Sequence, residues 1–557
     1  MYQQAYDPVG GSLALSSIFA VAPLVTLFVL LGALRWKAQW AALTSLTVSL
    51  AVAIAVYGMP VGQALNAGAE GAAFGLFPIM WIVINAIWIY RVTEETGHFA
   101  VLRRSFSSVS ADQRIQAIVI AFCFGALLEA LAGFGTPVAI SAVMLIALGF
   151  QPLKAASVAL VANTAPVAFG AIATPIITLA ETSGIPKEEL GAMVGRQTPV
   201  LALIVPLILV GIVDGRRGVR MTWPAAVVAG VSFAVAQFAC ANYVSVELTD
   251  IVASLASAGA VVALLRVWQP SEPFTEPGAG AAPTPAIAGG AVSDPEFEKA
   301  VRRRQSGPDT RGDVLGAYAP YLIIIAVFSL AQIPWLPFKD LLAGATREFD
   351  WPGLRVTDSS GEPAGAITFR FNYLSAAGTL MLFSGLLTLL ALRVRPGLAL
   401  RTYGRTLDQL KWAILTVAAV LALAFVMNLS GETITLGRWL AGTGALFALL
   451  SSLIGWLGVA VTGSDTSSNA LFGALQVQAA QGAGLNPTLL AAANSSGGVL
   501  GKMVSPQNLA IGAAAVGMAG QEGDIFRRVV GWSLLLVAVM CVLVFLQSTP
   551  VLSWMVV

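Results

Sequence analysis

The chain has 557 residues, of which 57% are hydrophobic and 11% charged, and its mean hydropathy is +0.80. A soluble fold of this size needs far more polar surface, so the composition places the chain in the membrane. A formal net charge of +2 and the lack of any basic run with interleaved aromatics argue against a nucleic-acid partner.

Before Leu15 the chain carries no Lys or Arg. It therefore lacks the n-region of a secretory signal, and the first apolar stretch reads as a retained span. The stretches 15–34, 39–57, 71–90 and 374–392 are each long enough to cross a hydrocarbon core of roughly 30 Å as helices. A membrane barrel would instead show short alternating strands. Loop charges then set the sidedness. Arg35 and Lys37 mark a cytoplasmic turn and 59–70 carries no base, so the N-terminus is expected outside. Arg91, Arg103, Arg104 and Arg114 mark the next inside connection, and Arg216, Arg217 and Arg220 another. After two more spans, 268–313 brings Arg302, Arg303, Arg304 and Arg311 inside, and its stretch 270–295, rich in Pro, Gly and Ala, reads as a flexible linker. The connection 335–372 has more acids than bases and is assigned outside, while Arg393, Arg395, Arg401, Arg405 and Lys411 form a basic inside loop. Trp36, Trp40, Trp268, Trp335 and Trp412 sit near span ends, where indole anchors at the headgroups, and Trp81 and Trp456 lie deeper. Cys123, Cys240 and Cys541 are scattered and His98 is alone, so neither a metal site, a cofactor nor a disulfide framework is expected.

One pattern occurs twice. Asn163-Thr164, Gly170 and Thr174-Pro175 return as Asn494-Ser495, Gly501 and Ser505-Pro506 at a constant offset of 331 residues. Upstream of each lies a second matched break, Gly133-Phe134-Gly135-Thr136-Pro137 and Gly463-Ser464-Asp465-Thr466-Ser467, offset by 330. Irregular backbone inside a membrane survives only where protein or a wet cavity satisfies it, so paired interruptions in two halves point to a transporter's binding site. The predicted fold is all-α and polytopic, with broken or reentrant helical hairpins. Loop charge has opposite signs around corresponding spans of the two halves, which makes them inverted repeats; a parallel duplication is the alternative. The resulting division is a first repeat at 1–215, two extra spans with the linker at 216–313, and a second repeat at 314–557.

The breaks suit an anion. Ser464, Thr466 and Ser467 are N-cap types opening a helix inside the membrane, where free N–H groups and the helix dipole attract a carboxylate, and Gly133, Gly135 and Thr136 follow the same logic. Asn163, Thr164, Asn494, Ser495 and Ser496 add amides and hydroxyls. Small and polar residues also let helices pack, so each of these has a packing role as its alternative. Three charges have no counterpart in the other repeat: Glu129, Asp465 and Lys502. A buried ionisable group costs at least ~2.5 kcal/mol at the bilayer centre and is a functional candidate by default. Glu129 is the first choice for a proton carrier, against an interfacial or helix-packing acid; Asp465 could carry a proton or cap its helix; Lys502 could bind the carboxylate or snorkel at a helix end. Importing a monocarboxylate against an interior-negative potential costs about 2.3 kcal/mol per 100 mV, which one co-transported proton cancels.

The stretches Glu129 to Pro137, Asn163 to Gly170, Gly463 to Asn469 and Asn494 to Pro506 resemble the signatures of the L-lactate permease family. The resemblance covers most of the chain apart from 270–313 and 335–372. It implies a bacterial inner-membrane permease for L-lactate, with D-lactate and glycolate as further substrates, coupled to protons. It also implies a site between hairpin tips and alternating access of the elevator type. A sodium-coupled carboxylate transporter is the alternative, since Asn, Ser, Thr and unwound carbonyls also bind Na⁺; an anion channel or an intramembrane enzyme is a more distant one. A homodimer is left open.

Overall fold

The computed structural model describes residues 2–107, 109–131, 133, 135–275, 309–332, 341–342, 344–359, 361–364, 367–518 and 521–557. Most of the linker expected at 270–313, the start of the outer connection 335–372, and Phe134 lie outside the described residues. Nine helices among the described residues are long and apolar enough to cross a membrane: Leu13–Ala33, Ala38–Ala55, Val61–Glu95, Gln113–Leu131, Lys187–Tyr243, Arg311–Ala331, Pro396–Ser430, Gly444–Thr462 and Glu522–Gln547. The chain is thus an all-α, multi-pass membrane protein with broken helices. Sequence separation and hydropathy set these spans, because a helix is the one open-ended element that satisfies its own backbone in lipid.

The longest helix, Lys187–Tyr243, runs 57 residues, far beyond one bilayer, and leaves helical geometry at Asp214 (φ −137°) and Gly215 (φ +59°). Its two legs lie side by side there: a Cβ on Gly230 would meet the Ala202 carbonyl at 2.9 Å, and one on Gly195 the Ala241 Cβ at 2.5 Å. The bend falls where Arg216 and Arg217 announce a turn, and it is pinned by Arg114, whose guanidinium donates to Asp214 at 3.2 Å and Asp112 at 2.6 Å.

Two groups of helices frame the site. Pro396–Ser430 packs on Ala38–Ala55 and Val61–Phe74, and Ala377–Ala391 packs on Trp81–Glu95, forming one wall. The other group contains the interrupted helices: Thr136–Ala147 against Pro152–Ala162, and Asp465–Gly482 against Pro487–Gly501 and Gly170–Ser183. Close approach within it depends on missing side chains. A Cβ on Gly501 would sit 2.3 Å from the Trp456 carbonyl, and one on Gly497 2.2 Å from that of Ser452. The deeper indoles are satisfied, Trp81 donating to Thr379 at 3.0 Å and Trp456 to Ser533 at 2.9 Å.

One part of the fold was not expected. The connection assigned outside carries a small antiparallel pair, Arg347–Asp350 with Thr368–Phe371, in register from Arg347↔Phe371 to Asp350↔Thr368. Tyr2–Gln3 runs parallel to Val356–Thr357. This cap is tied to the helices by Tyr2, which donates to the Ser430 carbonyl at 2.8 Å, and by Trp351, which donates to Asn66 at 3.0 Å.

Candidate functional site

Four local sequences bring the chain ends of half-helices together. In the first hairpin, Gly125–Leu131 stops and Thr136–Ala147 restarts after Gly135, whose φ of +82° is left-handed backbone that a side chain would oppose. In the second, Gly444–Thr462 ends at Gly463 (φ +77°) and Asp465–Gly482 starts with Ser464 as N-cap, its hydroxyl accepting from the Ser467 N–H at 3.3 Å. The first broken helix leaves its ladder at Asn163, passes through 163–166 and the turn Val167–Phe169, and keeps Ala171, Ile172 and Ala173 left-handed before continuing to Ser183. Its two arms are bent by 65°. The second runs unbroken through Asn494 and Ser495 to Gly501, turns over Lys502–Val504 and restarts at Pro506 under a Ser505 cap. The twice-occurring Asn step therefore marks a break in one repeat and a helix interior in the other.

These interruptions converge on a cavity of about 250 Å³. Of the residues singled out from sequence, Glu129, Gly133, Ser464, Asp465, Thr466, Ser467 and Lys502 line it. Lys502 and Glu129, 3% exposed, form an ion pair at 2.6 Å across the two halves of the chain. The pair sits where a Cβ on Gly170 would lie 2.8 Å from Glu129 Oε1, so the repeated glycine makes room for the carboxylate. Lys502 is 6% exposed and faces an acid. Asp465 is not the cap; it stands in the first turn, where Oδ2 accepts from Ser495 at 2.5 Å and from the Asn469 amide at 3.4 Å.

The remaining candidates lie behind the lining. Gly135 packs against Ile511, where a Cβ would approach to 2.4 Å, and Thr136 next to it is half-buried. Thr164 donates to its own helix at Val161. Asn163 is 3% exposed with both amide atoms unpartnered among the described residues, as is the Ser496 hydroxyl. Asn494 donates to Asn469 at 2.9 Å and accepts from Gln476 at 3.2 Å, and Asn469 donates onward to the Pro175 carbonyl at 3.1 Å. These amides hold the tip that presents Asp465 rather than facing the cavity.

Sequence reasoning missed the opposite wall. Gln39, Trp412, Thr416 and Val417 line the cavity from Ala38–Ala55 and Pro396–Ser430, and Thr462 and Gln507 complete its rim. Trp412 carried a signal, but one that reads equally as a headgroup anchor. Asn469 also carried one, lying four residues after Asp465 and hence on its helix face. Among the described residues no group of three or more His, Cys, Asp and Glu gathers as a metal cluster.

A cavity lined by one ammonium, two carboxyls and a row of hydroxyls can hold a small hydroxy acid by charge and hydrogen bonds, and nothing in it resembles an activated nucleophile. The chain is 42% identical to the L-lactate permease of Salmonella typhimurium, with all of both chains covered. It is also 42% identical to the glycolate permease GlcA of Escherichia coli, covering 98% of each. Among solved structures, the YdaH transporter of Alcanivorax borkumensis aligns with a TM-score of 0.47 and 14% identity, covering 96% of this chain and 98% of that one. The profile of the L-lactate permease family matches residues 16–551, so this chain belongs to the L-lactate permease family.

Proposed function

We propose that the protein is a secondary active transporter that carries L-lactate and related short 2-hydroxy acids, D-lactate and glycolate among them, together with a proton. The observation that carries this reading is the 2.6 Å pair between Lys502 and Glu129 on the cavity wall, with Asp465 beside it. With both acids ionised the three groups sum to one negative charge, which repels a carboxylate. Protonating Glu129 releases Lys502 and makes the site neutral or positive, so a lactate carboxylate takes the place that Glu129 held. Proton and anion thus enter together, and the loaded site carries the same charge as the empty one, which matters where charge is expensive. The tips at Gly133 and Ser464 to Ser467 supply N–H and hydroxyl donors, and the substrate hydroxyl falls to Thr466 or Ser467.

The cavity lies beside Gln39 and Trp412, near the basic turn at Arg35 and Lys37 and the basic N-terminal part of the helix Pro396–Ser430, which carries Arg401, Arg405 and Lys411. By the positive-inside rule this is an inward-facing arrangement in a cell inner membrane, with the N-terminus outside. Repeats 1–215 and 314–557 are read as inverted, with 216–313 between them, and the group bearing the tips as the part that moves, elevator-fashion, against the wall of Pro396–Ser430. A homodimer would steady that wall.

Uptake of labelled L-lactate into proteoliposomes tests the reading. An inside-alkaline gradient should drive accumulation above the outside concentration, unchanged when choline replaces sodium. Uptake indifferent to the pH gradient but abolished in choline would transfer the reading to a sodium-coupled carboxylate carrier.

A further inference from the structure

One buried acid, on a helix packed against that of Glu129, is unused by that mechanism. Asp250 opens the helix Thr249–Leu265 and is 0% exposed. This helix packs directly on Gly125–Leu131, which carries Glu129, and Asp250 lies near enough to Glu129 for their charges to interact. Its Oδ1 accepts from Gln237 at 3.0 Å, and its Oδ2 has no partner among the described residues, like Oε2 of Glu129. Gln237 in turn accepts from Thr198 at 3.2 Å and directs its amide at 3.4 Å towards the Ala165 carbonyl, two residues beyond the unpartnered side chain of Asn163. No cation pairs with Asp250 among the described residues. The other titratable groups around it are Cys240, on the second leg of Lys187–Tyr243, and Glu247, three residues earlier in the chain. Glu247 pairs with Lys187 and accepts from Ser245 at 2.9 Å.

A buried acid without a counter-charge is retained in a membrane only against a cost, and it marks an ion or proton pathway more often than a packing site. Asp250 does not line the substrate cavity. It is carried by Thr249–Leu265, which packs on the helix of Glu129 and contributes no residue to the cavity lining. This placement answers a difficulty in the symport reading. A substrate seated against Lys502 occupies the approach to Glu129 from the cavity, so a proton must reach or leave Glu129 by another route.

Resting on the proton-symport reading, we infer that Asp250 is the second protonatable group of the coupling machinery and exchanges its proton with Glu129. The step is balanced by the two residues alone: the Asp250 carboxyl gives a proton to the Glu129 carboxylate and becomes a carboxylate, and the reverse returns it. Asp250 touches no substrate and acts through Glu129.

The test compares wild type with Asp250→Asn and Asp250→Glu in proteoliposomes, reading both gradient-driven L-lactate accumulation and lactate–lactate counterflow at equal pH. Counterflow needs a folded site but no net proton movement. Asp250→Asn is expected to lower gradient-driven accumulation by about tenfold or more and to flatten its dependence on pH, while counterflow stays near the wild-type rate and Asp250→Glu recovers accumulation. Accumulation by Asp250→Asn equal to wild type overturns the inference. So does parallel loss of counterflow, which makes Asp250 a structural residue. Wild-type uptake that ignores the pH gradient overturns the symport reading itself, and this inference with it.

Discussion

Lys502 is a buried cation whose partner comes from the other half of the chain, and that arrangement makes separate predictions for binding and for stability. Removing one member of a buried pair leaves an uncompensated charge and costs roughly 3–5 kcal/mol, whereas replacing both is often nearly neutral. Lys502→Met should therefore lower the melting temperature of the purified protein, and adding Glu129→Gln should restore most of the loss. For transport, losing a desolvated charge partner costs about 2–5 kcal/mol, so the half-saturation concentration for L-lactate in Lys502→Met should rise by at least about 30-fold. Glu129→Gln should behave differently, retaining lactate counterflow while losing accumulation driven by pH. An unchanged half-saturation concentration in Lys502→Met would remove Lys502 from the binding site. Glu129, Asp465 and Lys502 were legible in the sequence because a charge without a counterpart stands out against a repeat. Gln39 and Thr416 were not, because they reach the cavity only when Pro396–Ser430 packs across the tips, and their types are ordinary at span ends. Asn163 and Asn494 look equivalent in sequence, yet one ends a helix and the other bonds Asn469 inside one.

The helices that carry the tips are held by contacts too close for a side chain, and this is where an element-scale change should show. Gly455, Gly497 and Gly501 put Gly444–Thr462 and Pro487–Gly501 nearly in backbone contact, with a Cβ on Gly455 only 1.9 Å from the Asn494 carbonyl. Gly497→Val must push the helices apart, at a cost of at least about 1–3 kcal/mol, and because Asn494 and Ser495 support Asp465, it should reduce lactate uptake as well as the melting temperature. Gly259→Ala is the control, since nothing lies within 4 Å of a Cβ there. Ser464→Ala removes the N-cap of Asp465–Gly482 and should cost about 1 kcal/mol, seen as a small fall in thermal stability with a weaker apparent affinity for lactate. A helix start within 463–467 was readable in advance from its run of N-cap residue types, but which of them caps was not, since Asp465 was as good a candidate as Ser464. The strand pair Arg347–Asp350 and Thr368–Phe371 was not readable, since each strand is only four residues long and largely exposed, too short for its alternation to stand out from a loop.

At the scale of the whole molecule, the direction in which each half threads the membrane decides whether the two tips approach the site from opposite sides. The bend at Asp214–Gly215 fell where the basic residues predicted a turn, because a helix of 57 residues must leave the membrane somewhere and arginines fix which turn stays in water. Span lengths alone could not reveal the sense of the second half, since the broken helices neither cross fully nor stay on one side. Ala111 and Thr443 occupy corresponding connections after the span that precedes each hairpin, and both are exposed. Cys123, Cys240 and Cys541 are buried and leave a quiet background for thiol labelling. Single substitutions Ala111→Cys and Thr443→Cys, probed in intact cells with an impermeant maleimide and again after permeabilisation, should label on opposite sides. The inverted arrangement expects Thr443→Cys to react in intact cells and Ala111→Cys only after permeabilisation. Labelling of both under one condition would make the duplication parallel, and the pairing of Glu129 with Lys502 would then have to arise without the pseudo-twofold relation that inversion would supply.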